Sequence, residues 1–163
     1  MCLQEITNQI LLESQTDCFP VDPMRIATLY NIPVYRIAEE HITVALKQEV
    51  LGGLDFKDGT PRIHVRKNLC SVQTRLITAH ILGHIFLGHT QDKAFIEDSR
   101  VLRSTFWEPA ERAANLFAME LLMPEEDVKG VILRGASNLK ELAARFGVSE
   151  HIIYLRLYNL GIL

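Results

Sequence analysis

The chain has 163 residues, 48% hydrophobic and 23% charged, with only 9 glycines and 6 prolines. That size and composition suit one compact domain with a sizeable core and place the chain among globular proteins, away from the disordered class. A formal net charge of -3 gives no overall grip on nucleic acid or anionic lipid, so any such contact has to be local.

Cys2, Cys18 and Cys70 stand outside any CxxC pair, which argues against a disulfide framework and against a thiolate metal site. There is no signal-like leader and no apolar run near the ~20 residues that a membrane span needs, so the expected location is a reducing cytoplasm, with no membrane partner. In chain order, residues 3 to 16 carry Leu3, Ile6, Ile10 and Leu11 at helical spacing and stop before Phe19-Pro20. Asp22 followed by Pro23 predicts the start of a helix running to about Tyr30, because Asp caps free N–H groups and Pro fills a first-turn position that needs no donor.

From Pro33 the pattern shortens into candidate strands around Val34 to Ile37, Ile42 to Val44 and Leu51 to Phe56. A turn at Phe56-Lys57-Asp58-Gly59-Thr60 leads to Ile63-His64-Val65, so 50 to 65 reads as a hairpin within a small antiparallel sheet. The strongest helical pattern covers 70 to 89, with Leu76, Ile77, Ile81, Leu82 and Ile85 recurring at core spacing. A polar, poorly patterned link from Thr90 to Thr105 precedes a second long helix, about Glu108 to Met123, which Pro124 closes. Asn138 with Glu141, and Ser149 after Gly147, predict helices at 139 to 146 and 150 to 159. The fold class expected is α+β, mainly helical, in one domain: a core over 1 to 136 and a helix-turn-helix-like cap over 137 to 163.

His80 and His84 lie four apart on the strongest helix, so their rings leave one face a turn apart, as two imidazole ligands of one metal must. The same spacing also suits two polar residues at the edge of the core. Glu111, on the next long helix, supplies the carboxylate that completes a His-His-Glu zinc site; otherwise it is a solvated residue paired with Arg112 or Lys93. Asn115 follows one turn later, where its amide can hold a ligand histidine through the nitrogen that does not touch metal. His64, on the returning strand, either faces the cleft to steady a developing oxyanion or belongs to an ordinary polar strand face. His89 falls one residue short of the third histidine in HExxHxxGxxH and is read as structural. His41 and His151 have no visible companions.

The stretch TRLITAHILGHIFLGHT (Thr74 to Thr90), followed by ERAANLFAMELLMP (Glu111 to Pro124), resembles the two signatures of the ImmA/IrrE-type metallopeptidases, AHELGHxxLGH and ExxANxFAxxLLMP, nearly position by position. The resemblance extends to the Pro-Val-Asp start of the early helix and to the C-terminal LAARFGVSEHIIYLRLYNLG. It implies a gluzincin-like site, with one zinc ion held by His80, His84 and Glu111. It also implies a regulatory role: peptidases of this kind, from bacteria, phages and mobile elements, cleave or inactivate helix-turn-helix repressors and so release transcription.

One departure bears directly on activity. In HExxH the glutamate after the first histidine takes a proton from metal-bound water and passes it to the leaving amine, and here that residue is Ile81. Losing a general acid/base typically costs ~10²- to 10⁴-fold in rate, whereas the metal ligands themselves are untouched. Glu108, one turn before Glu111, is either a substitute carboxylate or a helix cap, as Pro109 suggests. Three readings follow: a metal-binding regulator of a repressor with impaired catalysis, an active zinc endopeptidase with an unusual base, and a DNA-binding module. For the last, Leu139 to Gly161 has helix-turn-helix form, but Glu141 and Glu150 nearly offset Lys140, Arg145 and Arg156. Tyr154, Leu155, Leu157 and Leu160 read as packing residues, so a protein partner is expected rather than nucleic acid.

Overall fold

A computed structural model of the chain describes residues 2–16, 18–38, 50–89, 108–136 and 138–163, together with the backbone of 95–98. The expected strand at Ile42 to Val44, His41, Lys93 and most of the link after Thr90 lie outside the described residues. The chain divides into two compact units, one of Asp22–Asn115 and one of Met1–Val21 with Leu116–Leu163. The class is α+β, mainly helical with a small sheet.

In the Asp22–Asn115 unit, after α1 (Leu3–Glu13) of the other unit, α2 (Pro23–Leu29) begins as its sequence predicts: the Asp22 carboxylate accepts the Met24 and Arg25 N–H groups at 3.0 and 3.4 Å. Four strands follow, β1 (Val34–Ile37), β2 (Val50–Lys57), β3 (Thr60–Arg66) and β4 (Phe95–Asp98), in the order β1-β3-β2-β4. The hairpin is present, closed by Asp58 and Gly59 at φ 51 and 76, the doubly left-handed turn that suits strand twist. The sheet is mixed, which corrects the antiparallel expectation. β3 returns between β1 and β2, so β1 pairs with β3 in parallel, and strand periodicity carries no information about which neighbour a strand will take. β4, antiparallel to β2, falls within the stretch read as a polar link.

Gly52 opposes Val65 and Leu54 opposes Ile63, so these four positions share one face of the sheet, and all four are buried. Helix α3 (Ser71–Phe86) lies against that face. A Cβ on Gly52 would stand 2.8 Å from Ile77 Cγ2 and 3.4 Å from Ile81 Cδ1, so the absent side chain lets helix and sheet approach closely. Every residue of α3 from Leu76 to His84 is buried, the signature of a core helix rather than a surface one. Polar side chains placed there must find partners.

The other unit comprises α1 (Leu3–Glu13), the later turns of α4 (Pro109–Leu122), α5 (Glu125–Leu133), α6 (Leu139–Phe146) and α7 (Glu150–Asn159), and its buried apolar side chains include Phe146, Ile153 and Leu157. The Phe19 and Phe146 rings meet edge to face at 4.9 Å. α6 and α7 keep their predicted bounds because their caps are made: Asn138 Oδ1 accepts the Glu141 N–H, Ser149 Oγ accepts the Ile152 N–H, and Gly147 ends α6 at φ 62. α5 was not delimited from sequence, although Pro124 as its cap with three acids behind it is a readable start. Two residues of α7 depart from expectation. Tyr154 is 45% exposed rather than packed, and Arg156 is buried, paired with Glu120 and donating from Nε to the Met123 carbonyl at 3.0 Å.

Candidate metal centre

α3 carries His80 and His84 one turn apart, and the first turn of α4 brings Glu111 to both. Both imidazoles are fully buried and the Glu111 side chain is 13% exposed. His80 Nε2 and His84 Nε2 are 3.0 Å apart, and each lies 3.3 Å from a Glu111 oxygen. Burial alone would raise the Glu111 pKa, but bonds and charge from His80 and His84 outweigh it and hold the carboxyl well below the usual carboxylate range.

The far sides of the rings decide which proton sits where. His80 Nδ1 lies 2.9 Å from Asn115 Oδ1, and an amide oxygen only accepts, so Nδ1 carries the proton and Nε2 turns a lone pair inward. Asn115 is one turn beyond Glu111, so α4 supplies both a carboxylate and the group that orients an imidazole. His84 Nδ1 faces His89 Nδ1 at 3.3 Å. The His89 pKa is lowered by burial and by the neighbouring His84, against an opposing pull from Glu111.

If both imidazoles turn a lone pair inward, they and the carboxylate make three acceptors that repel one another at this range unless a cation or a proton lies between them. Tetrahedral zinc with bonds of about 2.0–2.1 Å sets its ligand atoms about 3.3–3.4 Å apart, so the donor set fits such an ion. Among the described residues this is the one group of three or more His, Cys, Asp or Glu whose ligand atoms converge, all within 4.8 Å of one another. A site with three protein ligands leaves a fourth position for water or substrate, and a bound divalent ion there supplies Lewis acidity.

The other candidates contribute no atom to this group of converging ligands. Ile81 is fully buried on α3 with its Cδ1 toward Gly52. Glu108 is exposed, and its carbonyl accepts the Arg112 N–H at 3.0 Å, the cap position before Pro109. His64 leaves β3 on the face opposite Ile63 and Val65. It stacks on Tyr35 with centroids 5.5 Å apart, and its Nε2 lies 3.2 Å from Asp55 Oδ1 without the alignment of a hydrogen bond. Asp55 in turn holds Arg62 through two bonds of 2.7 Å. Sequence reasoning gave His89 no contact with the site and passed over Gly52. The readable signal for His89 was Gly88, a helix-ending residue that turns the next side chain back over the last turn.

The family described as Peptidase M78, IrrE N-terminal-like domain, matches residues 37–158, a span that includes α3, Glu111 and Asn115. The chain belongs to this family. No curated protein matches it. Among solved structures, a Mycobacterium tuberculosis transcriptional regulator is similar in fold to this IrrE-like chain, with a TM-score of 0.64 at 18% identity, over 95% of this chain and 46% of the regulator. The IrrE-like chain thus spans about half the length of that regulator. No helix among its described residues is long and apolar enough to cross a membrane.

Proposed function

We propose that this IrrE-like chain is a cytoplasmic zinc-binding regulator that acts on a transcriptional repressor, chiefly by contact rather than by efficient cleavage. The observation that carries this reading is the pairing of an intact His80, His84 and Glu111 donor set with a fully buried isoleucine at position 81. His80, His84 and Glu111 would hold the ion, Asn115 would keep the His80 ring turned toward it, and no side chain at position 81 can accept or pass a proton. Family membership and the likeness to a transcriptional regulator support a regulatory role. A helix-turn-helix repressor is the partner that the sequence resemblance implies.

A protein partner is favoured over DNA by the state of α7. Its one arginine, Arg156, is buried against Glu120, and its exposed positions include Glu150, His151, Tyr154 and Tyr158. Phosphate contact needs an uncompensated cationic surface, which that helix lacks.

The test is metal content per chain on protein purified without chelator, beside His84→Ala, together with incubation against a repressor-type partner. The expected result is about one zinc per chain, lost in the variant, no cleavage by the unaltered protein, and some cleavage by Ile81→Glu. Cleavage by the unaltered protein that disappears in His84→Ala would replace this reading with an active endopeptidase. Failure to take up zinc when it is supplied would leave an interaction scaffold.

A further inference from the structure

Two imidazoles turn the same nitrogen inward, but their outer nitrogens are held by different parts of the fold. Asn115 on α4 takes the outer nitrogen of His80. For His84 the outer contact comes from the end of its own helix. α3 closes with Leu87 at φ -87, followed by Gly88 at φ 71. The Gly88 N–H bonds the Ile85 carbonyl at 3.2 Å and the His89 N–H bonds the His84 carbonyl at 2.9 Å. That pair of bonds is the left-handed helix stop in which the residue after the glycine folds back over the third residue from the end. Here the two residues so joined are His89 and His84, and their rings meet at 5.3 Å between centroids, with the Nδ1 atoms 3.3 Å apart.

A ligand histidine binds metal through a lone pair on one nitrogen only when the other nitrogen carries the proton, and that proton needs an acceptor. For His84 the inward atom is Nε2, so the proton belongs on Nδ1 and the facing atom must accept it.

We propose that His89 is a positioning residue for the metal centre: its Nδ1 accepts the His84 Nδ1–H, fixes the tautomer and ring angle of that ligand, and is delivered by the Gly88 helix stop. This rests on the reading of His80, His84 and Glu111 as metal ligands. It makes the Gly88-His89 pair a part of the centre, acting through His84 without touching the ion.

The test is zinc affinity by chelator competition on the full chain, for the unaltered protein, His89→Ala and His89→Gln, with the melting temperature of each metal-free protein alongside. His89→Ala is expected to weaken zinc binding about 10- to 100-fold with little change in metal-free melting. His89→Gln, whose amide oxygen can accept the same proton, should recover most of the affinity. Equal zinc affinity in His89→Ala and the unaltered protein would overturn this proposal alone. Equal losses in the Ala and Gln variants would overturn the acceptor role, and failure of the unaltered chain to bind zinc would overturn this proposal and the metal reading together.

Discussion

An isoleucine suits position 81 as a packing residue, since its side chain is fully buried and its Cδ1 points to Gly52 across the contact between helix and sheet. Restoring a carboxylate there sets chemistry against stability. An unpaired charge in an enclosed site is strongly unfavourable, so Ile81→Glu should destabilise the metal-free protein by on the order of 2–4 kcal/mol. A divalent ion nearby would offset part of that charge, so zinc should return part of the loss. Thermal melts with and without zinc read both effects, and a variant as stable as the parent in each condition would mean that position 81 is not enclosed. Helical spacing made pairs legible: α3 presents His80 and His84 one turn apart, and α4 presents Glu111 to both rings and Asn115, one turn on, to the outer nitrogen of His80. The side that His64 takes was not legible, since a lone strand histidine suits either face. Ile63 and Val65 on either side of it are fully buried, which sends its ring to the opposite face.

Between elements, β2 and α3 approach closely at Gly52. A methyl group there would stand 2.8 Å from both Ile77 Cγ2 and the His64 carbonyl oxygen, and the second of these is backbone, which cannot swing aside. Gly52→Ala should therefore cost about 1–3 kcal/mol and shift α3 relative to the sheet, with weaker zinc retention as the accompanying sign. Urea denaturation measures the first, and a midpoint unchanged from the parent would place the helix further from the strand than described. Elements whose ends are signed by capping residues, such as α2, α6 and α7, could be bounded from the chain alone because the signal is local. The partner of β1 and the existence of β4 could not. Strand neighbours depend on hydrogen bonds between distant segments, and four residues such as Phe95–Asp98 are too few to show a period. Gly52 escaped notice for the same reason, since what it avoids lies 25 residues further along the chain at Ile77.

For the protein as a whole, metal and folding should be linked. An ion that binds the folded chain and not the unfolded one stabilises it by about 2.7 kcal/mol at a free concentration one hundred times the Kd. The melting temperature should rise with added zinc and fall with chelator. That increment should also depend on acidity with a fixed sign. Histidine ligands bind only when deprotonated, and the Glu111 carboxyl stays ionised far below the usual range. The increment is therefore present at neutral and higher pH and disappears as the imidazoles protonate. Melts across pH with and without zinc test this, and an increment that grew on acidification would remove His80 and His84 from the ligand set.

The order in which α3 and α4 meet the site has an electrical side as well. His84 stands in the last turn of α3 and Glu111 in the first turn of α4. Peptide dipoles leave the C-terminal end of a helix partly negative and the N-terminal end partly positive. The carboxylate thus sits where the backbone of α4 favours an anion, and the imidazole that would face a cation sits where the backbone of α3 favours positive charge. Part of the field at the centre is therefore carried by chain direction, and no side-chain substitution removes it while the two helices stand.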